Sequence, residues 1–98
     1  MSMTDEEIHS VVLGVLKRHI RSSGLRVFLF GSRATGHATP RSDYDVAVDA
    51  GHPVDWAAMA RIRGDLEDSD IPVRVDVVDL STCSPTFKTV ALQGALSW

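Results

Sequence analysis

The stretch that decides the fold reads Leu25-Arg26-Val27-Phe28-Leu29-Phe30-Gly31-Ser32. Its first six residues form a nearly continuous apolar run of strand length, which is typical of a strand buried on both faces. Gly31 and Ser32 follow at the exit of that strand. Glycine lets the backbone approach a ligand closely, and a short helix opening at Ser32 would direct free N–H groups and a positive dipole end at an anion. The stretch therefore predicts a strand that leads into a phosphate-binding turn.

Ten residues separate Ser32 from a second strand pattern, which reads Asp43-Tyr44-Asp45-Val46-Ala47-Val48. Side chains two apart on a strand project from the same face, so the carboxylates of Asp43 and Asp45 are expected side by side. Two carboxylates that close repel each other, and their joint ionisation is costly unless a cation lies between them. A hard divalent ion with oxygen ligands, such as Mg²⁺, meets that demand.

A third carboxylate comes from the strand pattern of residues 73–79, where valines alternate with Arg74 and Asp76. Should this strand lie beside the one that carries Asp43 and Asp45, three carboxylates converge. Three are enough to hold two Mg²⁺ with help from nucleotide phosphates. We favour Asp76 over Asp79 at the strand end as the third ligand, because mid-strand positions are held more rigidly.

These motifs together resemble those of the minimal nucleotidyltransferases of the DNA polymerase β-like superfamily. The resemblance rests on residues 31–36, 42–48 and 75–80, which supply a Gly-Ser pair, a ten-residue gap, an Asp-x-Asp and a later strand Asp. It implies a polymerase β palm-like fold, ATP as substrate and two Mg²⁺ ions as cofactors. The catalytic and metal-binding residues that it implies are Asp43, Asp45 and Asp76.

The resemblance also implies a function, because many members of this family look like antitoxins that bind small helical HEPN proteins and modify them with AMP. We therefore expect an enzyme that transfers AMP from ATP to a hydroxyl, in the first place a tyrosine of a cognate HEPN toxin, alone or within an oligomer. Clustered acids are costly unless used, which favours an enzyme. Two alternatives stay open: a non-catalytic module that masks a partner, and transfer to a small molecule such as an aminoglycoside.

Four residues are candidates for binding the nucleotide phosphates. Gly31 and Ser32 form the predicted turn, while Arg33 and Arg41 flank the loop that joins the two halves of the motif. Arginine pairs with phosphate oxygens through two N–H groups at once, which suits both positions to the triphosphate.

Composition limits the alternatives further. The 98 residues predict one small domain, which the resemblance implies is a single minimal nucleotidyltransferase domain over residues 1–98. The net charge of −3 disfavours nucleic-acid binding, which depends on many Lys and Arg contacts to phosphate. The lone Cys83 cannot form an internal disulfide, and neither a signal peptide nor an apolar run of membrane-spanning length is visible. A cytoplasmic protein is expected.

The remaining segments predict a scaffold of helices. Thr4 opens a capping box and a first helix that should end near residues 23–24, with His9 and His19 at its surface. A second helix should span residues 55–67, and a third should open at Ser84-Pro85 and end at Gly94. The tail of residues 95–98 either adds a short strand or presents apolar surface. The inward positions of the last two helices are predicted to be Trp56, Met59, Ile62 and Leu66, and Phe87, Val90 and Ala91. Helices and strands thus alternate, which indicates an α/β fold with a small mixed sheet covered by helices mainly on one side.

Overall fold

A computed structural model describes residues 3–98 of the chain. Its helices are α1 (Asp5–His19), α2 (Ser32–Thr35), α3 (Trp56–Glu67) and α4 (Pro85–Leu92), with a 3-10 helix at Leu80–Thr82. Its strands are β1 (Arg26–Phe30), β2 (Tyr44–Asp49), β3 (Val75–Asp79) and β4 (Leu96–Ser97). The predicted alternation of helices and strands is confirmed.

The four strands form one mixed sheet in the order β3-β2-β1-β4. Strand β1 pairs antiparallel with both β2 and β4, whereas β2 and β3 are parallel. Parallel neighbours need a crossover, and α3 supplies it between β2 and β3. The arrangement confirms the predicted α/β fold class and places the Asp-x-Asp strand in the centre of the sheet, beside β3.

The hydrophobic core lies between the sheet and the helices α1 and α3. These elements contribute the side chains that are fully buried, namely Val12, Leu16, Tyr44, Val46, Val48, Ile62 and Val77. Helix α4 contacts β1 through the edge-to-face pair of Phe30 and Phe87, whose ring centroids are 6.3 Å apart. Because Phe30 alternates with the core residue Leu29 along β1, α4 lies on the other face of the sheet.

The helix starts follow their capping signals. Thr4 and Glu7 form the predicted capping box, and the Ser84 hydroxyl accepts a hydrogen bond from the Phe87 N–H at 3.1 Å. The end of α1 was predicted wrongly. The helix stops at His19, four residues early, because Ile20 adopts an extended conformation and is buried in the core.

Three predicted core positions are wrong. Trp56 is 81% exposed, since it occupies the first turn of α3 and the buried stripe of that helix begins only at Ala58. Phe87 and Val90 are 42% and 63% exposed, because the short helix α4 buries Ala91 alone against the rest of the chain. The apolar spacing gave the correct helices but not the depth to which each one packs.

The two histidines of α1 are not surface residues as predicted. His19 is half-buried and lies 2.7 Å from the Asp65 carboxylate, which ties α1 to α3. His9 stacks on Trp98 with ring centroids 4.3 Å apart, and its Nε2 is buried with no hydrogen-bond partner. None of the helices formed by residues 3–98 combines the length and the apolarity needed to cross a bilayer.

Candidate active site

Two carboxylates lie next to each other across the β2–β3 pair. Asp45 and Asp76 are register partners in this parallel ladder, and neighbouring strands lie about 4.8 Å apart. Both side chains project from the face of the sheet opposite α1 and α3, because each alternates with buried core residues on its own strand. The structure thus brings together two of the three predicted site carboxylates.

The pKa of Asp45 is raised above its usual value. Burial is the largest cause, followed by the negative charges of Asp76 and Asp43, while the Arg74 guanidinium acts in the opposite direction. A raised carboxyl pKa means that ionised Asp45 is held in a place that disfavours its charge. A cation at this position would remove the penalty.

Gly31 makes the close packing around Asp45 attainable. Its backbone has φ of +73° and ψ of −155°, a region that is essentially restricted to glycine. A Cβ atom on Gly31 would lie well inside van der Waals distance of Asp45 Oδ2. The glycine therefore serves both to turn the chain and to leave room for the carboxylate, a second role that the sequence pattern did not indicate.

The donor set fits a divalent cation that also binds a nucleotide. Asp43 precedes β2 and is exposed, and no three Asp, Glu, His or Cys side chains within residues 3–98 are grouped closely enough to chelate an ion unaided. The predicted convergence of three carboxylates is thus seen as an adjacent pair with Asp43 nearby. Mg²⁺ commonly uses one or two carboxylates and completes its shell with water and substrate phosphates, and this arrangement suits that mode.

The predicted phosphate-binding turn lies beside this pair. Gly31 is the N-cap of α2, and its carbonyl accepts hydrogen bonds from the Ala34 and Thr35 N–H groups at 3.1 and 3.2 Å. Phe30, the last residue of β1, is the direct register partner of Asp45. Gly31, the residue that follows Phe30, therefore lies close to Asp45 in space. A single ligand could contact both the Gly31-Ser32 turn and the Asp45 carboxylate.

The two candidate arginines differ in placement. Arg41 is exposed in the loop between α2 and β2. The side chain of Arg33 is only 13% exposed and donates hydrogen bonds to the carbonyls of Pro40 and Ser42. It is therefore not directed at Asp45 and Asp76. The structure does not place Arg33 for the predicted contact with triphosphate.

Asp79, the rejected alternative to Asp76, is used within the fold. Its side chain lies on the core face of β3, and its carboxylate accepts hydrogen bonds from the Val54 N–H at 2.8 Å and the Ser81 N–H at 3.0 Å. A carboxylate that is buried and saturated with internal donors has little capacity left for a metal.

A groove of about 470 Å³ runs along the open edge of β3 and is lined in part by Asp76, Arg74 and Arg63. A larger groove of about 650 Å³ lies behind the sheet and is lined in part by Asp5, Arg33 and Tyr44. The smaller groove is lined by one of the predicted site carboxylates, Asp76, and the larger groove by none of them.

The side chains that hold Tyr44, the middle residue of the Asp-x-Asp motif, were not predicted from the sequence. The Tyr44 hydroxyl donates to the Asp5 carboxylate, and the Trp98 ring stacks on the Tyr44 ring with centroids 5.9 Å apart. Burial, and after it the bond to Asp5, raises the pKa of Tyr44 to about 12. A tyrosine predicted to point into a core needs a partner for its hydroxyl, and that was the available signal.

The fold and this arrangement of residues define a nucleotidyltransferase. Residues 16–96 match the family described as polymerase beta, nucleotidyltransferase, and the chain belongs to that family. The resemblance drawn from the Gly-Ser and Asp-x-Asp motifs is thereby confirmed, and so is the prediction that the protein is a nucleotidyltransferase enzyme.

Individual proteins that are similar to this chain support the same family assignment. A Haemophilus influenzae protein named probable protein adenylyltransferase MntA is 33% identical over 91 residues, covering 91% of this chain and 80% of the relative. A toxin–antitoxin crystal structure with AMP-PNP superposes with a TM-score of 0.70 at 29% identity, covering 91% of this chain and 71% of that one. A structure assigned as a minimal nucleotidyltransferase gives a TM-score of 0.68 at 30% identity, covering 96% and 95% of the two chains.

Proposed function

We propose that this nucleotidyltransferase moves AMP from ATP to a tyrosine hydroxyl of a HEPN-type toxin and thereby acts as its antitoxin. The observation that carries the proposal is the adjacent pair of Asp45 and Asp76, with a raised Asp45 pKa and the Gly31-Ser32 turn at its side. The similarity to an MntA adenylyltransferase and to a toxin–antitoxin structure with AMP-PNP supports the choice of AMP and of a toxin as acceptor.

The proposed roles follow from position. Asp43 and Asp45 would hold two Mg²⁺ ions, and Asp76 would help to hold the one nearer the groove along β3. Mg²⁺ bound there would lower the pKa of the acceptor hydroxyl and neutralise charge on the phosphates. The Gly31-Ser32 turn would bind the β- and γ-phosphates, with Arg41 reaching them from its loop. These residues keep the acceptor oxygen in line with the α-phosphate, so catalysis depends mainly on positioning and electrostatics.

In the transfer itself, the acceptor oxygen forms a bond to the α-phosphorus as the bond to the β-phosphate oxygen breaks. Pyrophosphate leaves, and the hydroxyl proton passes to solvent through the groove along β3. Arg74 lies 3.9 Å from Asp76 and is exposed, so its charge is available to the departing or entering phosphate oxygens.

A tyrosine acceptor must belong to another molecule. The chain contains one tyrosine, Tyr44, which is 2% exposed and bonded to Asp5 behind the sheet. It cannot reach the acidic face without leaving the core. The proposal therefore requires modification in trans.

The test is the intact mass of the protein encoded beside this one after co-expression with the wild type or with the Asp43→Asn/Asp45→Asn double variant. We expect the partner to gain whole AMP units with the wild type alone. A partner that co-purifies unmodified with both would refute transfer and favour a module that neutralises its toxin by masking it. A gain in mass on a co-purified small molecule instead would show that the acceptor is that small molecule and not the partner protein.

A further inference from the structure

We propose that Arg33 is a positioning residue that fixes the Asp43–Asp45 segment from behind the sheet, and that metal binding at these carboxylates depends on it. The inference rests on the proposed function insofar as the carboxylates are taken to bind a divalent cation. It replaces the predicted contact between Arg33 and phosphate.

The first observation is how Arg33 holds the residue before Asp43. Its Nε and one terminal nitrogen both donate to the Ser42 carbonyl oxygen, at 3.1 and 2.8 Å, and the same terminal nitrogen lies 3.4 Å from the Pro40 carbonyl. Charged donors in a half-buried place form stronger hydrogen bonds than neutral ones. The guanidinium thus ties α2 to the end of the loop that enters β2.

The second observation concerns the residue between the two carboxylates. The Arg33 guanidinium carbon lies 4.0 Å from the centroid of the Tyr44 ring, and Trp98 stacks near the same ring. Asp5 accepts the Tyr44 hydroxyl and lies 3.7 Å from Arg33. Tyr44 is therefore contacted at its ring and at its hydroxyl, in a fully buried position.

Strand geometry carries these restraints to the other face. Because side chains alternate along β2, a backbone held through the Tyr44 side chain and the Ser42 carbonyl presents the carboxylates of Asp43 and Asp45 in one orientation. Groups that orient metal ligands typically change metal affinity or activity by 10- to 100-fold when removed. Lysine cannot replace Arg33 fully, since an ammonium group lacks the planar shape for stacking and the fork of donors for one carbonyl.

The experiment measures Mn²⁺ binding by the metal-free protein in solution, with Arg33→Ala, Arg33→Lys and Tyr44→Phe compared with the wild type. Arg61→Ala, an exposed arginine on α3, is the matched control. We expect the Mn²⁺ dissociation constant to rise about tenfold or more in Arg33→Ala and by less in Arg33→Lys. Tyr44→Phe, which deletes one hydroxyl, should raise it about two- to threefold, and Arg61→Ala should match the wild type.

Triphosphate binding in EDTA separates this role from a direct phosphate contact. Positioning predicts unchanged affinity for the metal-free nucleotide in Arg33→Ala, whereas weakened binding there would overturn the inference. So would a folded Arg33→Ala with wild-type Mn²⁺ affinity, even if its Tm is lower. Should Arg33→Ala fail to fold, wild-type affinity in both Arg33→Lys and Tyr44→Phe overturns it equally. The Mn²⁺ comparison is repeated with AMP-PNP present, because nucleotide phosphates would complete the metal's shell. Absence of Mn²⁺ binding by the wild type under both conditions would remove the proposed function on which the inference rests.

Discussion

The two ends of the parallel pair of β2 and β3 carry carboxylates in opposite surroundings. At the end where β2 begins, Asp45 faces Asp76 and is raised in pKa by burial and by like charges. At the end where the strands finish, the pKa of Asp49 is lowered by the Gly51 N–H and by Arg26, and Asp79 accepts two backbone N–H groups. We name these groups the acidic pair (Asp45, Asp76) and the satisfied pair (Asp49, Asp79).

This difference shows how a carboxylate that stabilises the fold can be distinguished from one that binds a ligand, even when no ligand is present. A carboxylate that has been supplied with donors stabilises the fold in its ionised form. One that is left beside a second carboxylate destabilises the fold until something else binds it. Such a cost is commonly retained where a ligand is to be bound.

The largest expected difference between the two ends is in the rate of AMP transfer after substitution of their carboxylates. Asp45→Asn or Asp76→Asn should lower the rate of AMP transfer at least about a thousandfold, since removal of a charged group that stabilises the transition state costs several kcal/mol. Asp43→Asn should do the same. Asp49→Asn is the matched control at the other end and should retain the rate within a few fold, measured as the partner's gain in mass with time. Full activity in Asp45→Asn would refute the site.

For the free energy of unfolding, we expect the larger loss from a substitution in the satisfied pair and the smaller loss from one in the acidic pair. Asp79→Ala removes a buried carboxylate and leaves the part-buried N–H groups of Val54 and Ser81 without their acceptor, so it should lower the free energy of unfolding by about 1–3 kcal/mol. Asp76→Ala should change it by less than about 0.5 kcal/mol, as expected for a partly exposed position. Urea denaturation of both variants measures the contrast. Equal losses would show that the acidic pair is as structural as the satisfied pair.

The glycine that follows β1 and the glycine that lies after β2 sharpen the comparison. Gly31 and Gly51 both have positive φ, of +73° and +81°. A Cβ on Gly51 would meet nothing within 4 Å, whereas one on Gly31 would overlap Asp45. Gly51→Ala should therefore cost about 1–2 kcal/mol of backbone strain, while Gly31→Ala should cost more and also weaken Mn²⁺ binding. A Gly31→Ala variant with wild-type Mn²⁺ affinity would contradict the close approach.

The pH dependence of stability should have opposite signs at the two ends. A raised Asp45 pKa means that its protonation favours the fold, a contribution that is full below the unfolded pKa near 3.8 and is lost as pH rises through the folded value. A lowered Asp49 pKa gives stability that is present above 3.8 and lost as pH falls through the folded value. Without metal at pH 7, Asp45→Asn should raise Tm by about 2–4 °C, equivalent to about 0.5 kcal/mol, and Asp49→Asn should lower it. Thermal unfolding in EDTA at pH 7 and pH 3 provides the check, and a lower Tm for Asp45→Asn would contradict the account.

The smallest effect is expected from the turn. If the Ser32 hydroxyl binds a phosphate oxygen, Ser32→Ala should weaken ATP binding about three- to tenfold, the usual worth of one hydrogen bond. Isothermal titration with Mg-ATP tests this, with Ser81→Ala beside the satisfied pair as control. Unchanged affinity would count against the phosphate-binding role.

Much of the fold was predictable from sequence because it depends on local signals. The capping residues Thr4 and Ser84, the apolar run ending at Phe30 and the Asp-x-Asp spacing each act within a few residues. Packing depth was not predictable. Trp56 lies on the correct stripe of its helix, but whether the core extends to the first turn depends on how far α3 overlaps the sheet.

The candidate site divides in the same way. The choice of Asp76 over Asp79 was made on mid-strand position alone. The structure adds that the two side chains project from opposite faces of β3 and that Asp79 is held by internal donors. The roles of Arg33 and Gly31 depend on contacts with residues distant in sequence, which the sequence pattern does not predict. Arg33 meets Tyr44 and Ser42 through the path of a loop, and Gly31 meets Asp45 through the β1–β2 register.

Thermal unfolding of the wild type, Asp45→Asn and Asp49→Asn, each in EDTA and with Mg²⁺ plus AMP-PNP, tests the central claim most directly. We predict that metal and nucleotide raise the Tm of the wild type and of Asp49→Asn by several degrees, as ligand binding to the folded state requires. Asp45→Asn should start higher in EDTA and gain almost nothing. An equal gain in all three proteins, or none in the wild type, would contradict the claim that the acidic pair is kept for a metal and a nucleotide.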